Sequence, residues 1–227
     1  MNLNKTLEGE SLFSKIDGAA FHRLALKGLF ENSDDPQGDF IFNPEFKDWV
    51  FKKAVKPAAV LIPVVKRHDE LTVLLTKRTE KLSSHSGQIA FAGGKVDETD
   101  ESVEAAALRE ANEEIGLEDS FVEVIGTMPE YFTGSGYRIS PVVALVEPEA
   151  KLTANPDEVD YIFEVPLAFL MDQDNHKMGS RVFEGKRRYY LEMPFGDHYI
   201  WGVTAGIIKV FHDRLIEAAK EYRHEVI

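Results

Sequence analysis

Apolar positions along the chain change their spacing several times, and each change predicts an element. Residues 12–30 carry apolar side chains at helical intervals, and the run Asn32-Ser33-Asp34-Asp35-Pro36-Gln37-Gly38 is a strong turn signal. Residues 58–65 and 71–75 are short runs of Val, Leu and Ile joined by Arg67-His68-Asp69-Glu70, which suits two strands and a hairpin connection. A polar stretch from residue 83 then leads through a brief apolar strand, Ile89-Ala90-Phe91, to Gly93-Gly94, where the diglycine predicts a special backbone turn. Residues 103–115 form an alanine-rich helical run, with N-cap candidates among Asp97 to Asp100 and a glycine stop at Gly116.

Beyond that helix, residues 121–126 and 139–146 read as strands around an aromatic, glycine-rich loop that holds Tyr131, Phe132 and Tyr137. Residues 162–170 are mixed apolar, 189–193 and 199–201 are strand pieces, and 204–222 have the period of a closing helix. There is no internal repeat or low-complexity tract. Strands interleaved with helices predict a layered α/β or α+β domain. Residues 1–50 differ in character and are assigned as an N-terminal helical extension, with the domain proper at 51–227.

Length and composition narrow the classes. A chain of 227 residues, 44% hydrophobic, has enough apolar material for one substantial core. No apolar run reaches the ~18 residues of a membrane span, and residues 1–10 are too polar for a signal peptide, so a cytoplasmic protein with no membrane partner is expected. The absence of cysteine removes disulfides, thiolate metal sites and cysteine nucleophiles together. Lys and Arg total 26 against 39 Asp and Glu, a net charge of −13, which disfavours nucleic acid as a partner. A small anionic substrate stays compatible with that charge if a bound divalent ion supplies the local field.

The candidate chemistry lies in the alanine-rich helix. Each helical residue advances about 100°, so Glu110, Glu113 and Glu114 fall on one face. Like charges at these spacings repel by a few tenths of a kcal/mol per pair. A hard divalent cation offsets that repulsion, since Mg²⁺ takes oxygen ligands and commonly bridges carboxylates, waters and phosphates. An isolated Glu-x-x-Glu-Glu reads first as a solvated acidic face. The setting is what distinguishes this one: a diglycine loop, early acids, Arg109 directly before Glu110, and glycine at the helix end.

In that setting, residues 94–117 resemble the Nudix box: glycine, five residues, Glu, seven residues, Arg-Glu, an apolar residue, any residue, Glu-Glu, any residue, glycine and an apolar residue. Arg109, Glu110, Glu113, Glu114, Gly116 and Leu117 fall in register, and Ala111 takes the first apolar place. Gly94 precedes Glu101 by six residues rather than five, so the early acid is either Glu101 in a longer loop or Asp100.

A second stretch is similar to the coenzyme A pyrophosphatase branch of that family. It comprises Leu74-Leu75-Thr76-Lys77-Arg78, His85-Ser86-Gly87-Gln88-Ile89-Ala90-Phe91, and Gly93-Gly94-Lys95-Val96-Asp97 with Asp100. Ile200 to Ala205 is also similar. Ala92 departs from the branch, which usually places proline there. The resemblance runs from about residue 57 to 211.

The resemblance implies an α/β/α sandwich with a mixed sheet between helices, and Mg²⁺- or Mn²⁺-dependent hydrolysis of the diphosphate of coenzyme A. Glu110, Glu113 and Glu114 would hold metal, with Arg109 steadying a glutamate by an ion pair. Lys77, Arg78, His85, Gln88, Gly93, Gly94 and Lys95 are the implied substrate-binding set. Lys77 and Arg78 also read as solvated strand ends, and His85 and Gln88 as ordinary loop residues. Tyr131, Phe132 and Tyr137 either pack their loop or stack an adenine ring. His198 and Trp201 are read as structural, and Glu158 is a candidate base that also reads as an acidic turn. Hydrolysis of ADP-ribose or a dinucleotide, a nucleotide-binding module without catalysis, and a homodimer are left open.

Overall fold

The computed structural model describes residues 13–30, 36–82, 85–183 and 185–226. Of the turn expected over residues 32–38, positions 32–35 lie outside the described residues, as do the loop positions Ser83 and Ser84, and Gln37–Gly38 is a short strand. In chain order the elements are α1 (Gly18–Phe30), β1 (Gln37–Gly38), α2 (Lys47–Lys53), β2 (Lys56–Lys66), β3 (Leu71–Arg78), β4 (Ile89–Ala90) and β5 (Gly93–Lys95). They continue with α3 (Val103–Ile115), β6 (Val122–Thr127), β7 (Tyr131–Phe132), β8 (Tyr137–Val146), β9 (Val159–Pro166) and α4 (Leu167–Leu170). The last are β10 (Lys177–Phe183), β11 (Lys186–Phe195), β12 (His198–Trp201) and α5 (Gly202–Val226).

Among the described residues nine strands form one mixed sheet along the path β1-β7-β8-β2-β3-β4, with β5 on β2, β6 on β8 and β9 on β3. Its centre is the parallel pair β2 and β8, in register from Lys56 opposite Tyr137 to Val65 opposite Val146. A parallel pair is covered on both faces, which is why these two strands are near-continuous apolar runs in sequence. Side chains alternate across the sheet: Ala59, Leu61, Val142 and Ala144 point to the core shared with Ala106, Ala107, Ala111 and Ile115 of α3. Ile62, Val64, Val143 and Leu145 point to the other core, with Phe21 of α1 and Ile208, Phe211 and Leu215 of α5. The sheet is thus sandwiched between helices, as the expected α/β/α arrangement requires.

Residues 1–50 were set apart from the domain, yet Phe13, Phe21, Leu24 and Ala25 are buried in the same core as β2 and β8. The extension also continues into the sheet, since β1 pairs with β7 in parallel. A separate antiparallel sheet, β10-β11-β12, packs beside α5. The side-chain amide of Asn43 ties the extension to it, donating to the Tyr189 carbonyl (2.8 Å) and accepting from the Tyr189 N–H (2.8 Å). A buried amide so placed satisfies both backbone groups of an edge residue as a neighbouring strand would. No helix among the described residues is long and apolar enough to cross a membrane.

Candidate active site

Helix α3 starts at Ser102, whose hydroxyl accepts from the Ala105 N–H at 3.1 Å, so the cap is not among Asp97 to Asp100 as expected. Those acids stay in the preceding loop because Asp100 is used otherwise. Its carboxylate takes Arg109 Nε at 2.9 Å and Nη2 at 3.0 Å, and it accepts from the Asp97 N–H at 2.8 Å. The Arg109 hydrogen bonds pull its carboxyl down to about 2. Glu101 is exposed, whereas the Asp100 side chain is only 5% exposed. Five residues separate Gly94 from Asp100 and eight then separate it from Arg109, so the spacing keeps its extra residue, and of the two early acids Asp100 is the one bonded to Arg109. Arg109 also donates to Glu110 (3.0 Å), Glu113 (3.2 Å) and the Lys95 carbonyl (3.0 Å), binding the loop to the helix.

The three helix glutamates, expected on one face, are in three different environments. The Glu114 side chain is 1% exposed, accepting from Arg78 Nη1 (3.1 Å) and from the Gly93 N–H (3.2 Å). Burial pushes its carboxyl up to about 7, with Glu158 and Glu110 adding to the effect and Arg78 and the Gly93 N–H opposing it. Glu110 is 15% exposed and its carboxyl is also raised, first by burial and further by Glu113 and Glu158, against Arg109. Glu113 is 55% exposed and held on the outer side by Arg109. Spacing alone places the trio on one face, but a helix face is wide enough to run from core to solvent.

The diglycine is not a turn. Gly93 and Gly94 are extended residues of β5, paired antiparallel with Val60 and Ala59 of β2, and neither has a positive φ. Glycine is needed for close approach: a Cβ on Gly93 would lie 2.7 Å from the Val60 Cα, and one on Gly94 would lie 2.5 Å from the Glu110 Cδ.

Glu110, Glu114 and Glu158 line one cavity of about 640 Å³. Among the described residues no three acidic or histidine side chains already converge as a closed ligand set. The donor set nevertheless suits a hard divalent cation, which takes oxygen ligands: burial raises both Glu110 and Glu114 against the opposing pull of Arg109 and Arg78, and a bound cation would favour their charged forms. Arg78, His85, Gln88, Gly93, Gly94 and Lys95 line the same cavity. His85, at φ 54°, places Nδ1 3.0 Å from Gln88 Oε1. Lys77, Arg109 and Glu113 are outside the lining. Lys77 instead pairs with Asp160 at 3.3 Å and lies over the Tyr161 ring.

Residues 55–183, which include these carboxylates, match the NUDIX domain family model. The chain belongs to the Nudix hydrolase family. It is 43% identical over 155 residues to the uncharacterized Nudix hydrolase NudL of Escherichia coli O7:K1, covering 68% of this chain and 80% of that protein. NudL of Shigella boydii serotype 18 matches to the same extent. Among solved structures, the NUDIX domain of Shewanella oneidensis NrtR complexed with ADP ribose has a TM-score of 0.44 and 19% identity, covering 79% of this chain and 97% of that one. The family match and the NudL relatives make the protein an enzyme of the Nudix hydrolase class.

Much of the cavity wall lies outside the Nudix match. The segment 39–53 contributes Asp39, Phe46, Trp49 and Lys53, and the small sheet contributes Arg188, Tyr190 and Trp201, with Arg181 of the same sheet just inside the matched span. Sequence reading missed these apart from Trp201, which was taken as structural. Arg187-Arg188-Tyr189-Tyr190 was the available signal, a basic and aromatic run in an acidic chain. Of the two readings of the loop aromatics, packing describes two of them: Tyr131 is fully buried with its hydroxyl on Asp39 (3.2 Å), and Phe132 packs on Phe51 at 4.7 Å. Tyr131 and the half-buried Tyr137 both line the cavity, while Phe132 does not.

Proposed function

We propose that this Nudix hydrolase cleaves the diphosphate of coenzyme A with Mg²⁺ or Mn²⁺, giving adenosine 3′,5′-bisphosphate and 4′-phosphopantetheine. The observation that carries the reading is that Arg78, His85, Gln88 and Lys95, from the stretch similar to the coenzyme A branch, line the same cavity as Glu110 and Glu114. A divalent metal on these carboxylates would neutralise phosphate charge and lower the pKa of an attacking water.

The protein groups have separable tasks in this scheme. Glu110 and Glu114 supply the hard oxygens, and Asp100 acts through Arg109 to hold Glu110 in place. Lys95 and His85 face the space where phosphate oxygens would lie. Attack of water on one phosphorus breaks the P–O–P bridge, the bridging oxygen leaves with the other phosphate, and the water proton passes to a cavity carboxylate. Glu158 is our candidate for that acceptor, since it lines the cavity and its charge acts on both Glu110 and Glu114. The test is turnover of coenzyme A, ADP-ribose and a dinucleotide with Mg²⁺, Mn²⁺ or EDTA, products identified by mass. Coenzyme A is expected to be the preferred substrate and EDTA to stop the reaction. Faster hydrolysis of ADP-ribose or the dinucleotide would overturn the reading.

A further inference from the structure

We infer that the basic, aromatic wall built by α2, β10 and β11 is a subsite for a phosphate monoester carried beside a purine, separate from the place where the diphosphate is cleaved. This rests on the coenzyme A reading, in which the group is the 3′-phosphate of the adenosine end.

The wall concentrates positive charge in a chain of net charge −13. Lys53, Arg181 and Arg188 all line the cavity. Each lies over an aromatic ring: Arg188 Cζ is 4.3 Å from the Phe46 centroid and 4.8 Å from that of Trp49, Lys53 Nζ is 4.7 Å from Trp49, and Arg181 Cζ is 5.2 Å from Trp201. These contacts hold the cationic heads against the aromatic wall. Arginine is the side chain suited to bidentate binding of a phosphate, and the neighbouring rings offer faces to a planar base.

The two charged sets of the cavity are electrically distinct. On the cavity wall Arg78 donates to Glu114 at 3.1 Å, whereas Arg181 and Arg188 act on Asp39. Asp39 is the acid facing this wall, and its carboxylate accepts from the Gly134 N–H at 2.7 Å and the Tyr131 hydroxyl at 3.2 Å. A ligand that uses both sets needs two anionic groups, one at the metal-binding carboxylates and one at the arginines. Coenzyme A has both, while ADP-ribose and 3′-dephospho-coenzyme A lack the second. A cavity of about 640 Å³ is within the ordinary range for a ligand of that kind.

The origin of the wall agrees with a role in selection. Phe46, Trp49, Lys53 and Arg188 lie outside residues 55–183, the span matched to the family. Cleavage groups thus come from the shared domain and the recognition groups mainly from the segments flanking it.

The experiment has two readouts. In EDTA, binding of adenosine 3′,5′-bisphosphate and of AMP is measured by calorimetry for the unmodified protein, Arg181→Gln and Arg181→Gln/Arg188→Gln. With Mg²⁺, kcat/KM is measured for coenzyme A and 3′-dephospho-coenzyme A in the same proteins. The unmodified protein is expected to bind the bisphosphate about 10-fold or more tighter than AMP, as a charge-assisted phosphate contact provides. The double variant should lose most of that margin, and the loss of kcat/KM should fall on coenzyme A more than on its dephospho form, through KM. Arg181→Gln, at an exposed position, gives a partial loss and serves if the double variant does not fold. Equal binding of the two nucleotides by the unmodified protein, or equal loss on both substrates, overturns the subsite. Retained bisphosphate preference without coenzyme A hydrolysis would instead overturn the proposed function and leave the subsite standing.

Discussion

A Cβ on Gly94 would lie 2.5 Å from the Cδ of Glu110, so the strand passes the helix carboxylate with room for hydrogen and nothing larger. The obstructed atoms are the end of a flexible side chain, and Gly94 has no positive φ to strain an alanine. Gly94→Ala should therefore fold and push Glu110 out of the cavity, lowering turnover by about 100-fold, the scale of a 1 Å misplacement. Gly93→Ala meets the backbone of Val60 instead and should be the less stable of the two. Thermal melts and turnover on the pair check this, and an active Gly94→Ala would contradict the role given to Glu110.

Glu114 makes a pH-dependent prediction for the metal-free protein. Its folded carboxyl is raised to about 7 from an ordinary 4.5, so its contribution to stability is full below about pH 4.5 and lost as pH rises through 7. At 1% exposure the shift corresponds to an upper figure of about 3 kcal/mol. Glu114→Gln removes this dependence. In EDTA its melting temperature relative to the unmodified protein should rise between pH 5 and pH 8, while metal-dependent hydrolysis is largely lost. A stability difference independent of pH would show that the buried charge does not set it.

Asn43 tests whether the extension belongs to the cavity wall. Its amide bonds both backbone groups of Tyr189 and also donates to the Asp39 carbonyl at 3.2 Å. Asn43→Ala removes these part-buried hydrogen bonds and should cost about 1 kcal/mol. Because the bonds join the segment carrying Phe46 and Trp49 to the strand carrying Arg188, KM should rise more than kcat falls. A melt and kinetics unchanged from the unmodified protein would contradict this.

Legibility in the sequence followed the range of the interactions. Helix α3 was readable to the residue because alanine spacing and Gly116 are local signals. The apolar runs of β2 and β8 were readable as strands because both of their faces are buried. Strand β10 was not: its described side chains are partly or fully exposed, so no apolar alternation marks it. Spacing also could not separate Glu110 and Glu114 from Glu113, since Arg109 and the neighbouring strand decide which carboxylate enters the cavity. The contribution of the extension depends on Asn43 meeting Tyr189 across 146 residues, a contact with no local signature.

The most direct test of the central claim is the identity of the products from acetyl-CoA incubated with the enzyme and Mg²⁺. The carboxylate cavity can organise metal and diphosphate, and the chain contains no cysteine for thioester exchange. Mass spectrometry should find adenosine 3′,5′-bisphosphate and acetylated 4′-phosphopantetheine, with the thioester intact. Free coenzyme A and acetate as the main products would mean that the thioester is cleaved instead, and would contradict the account.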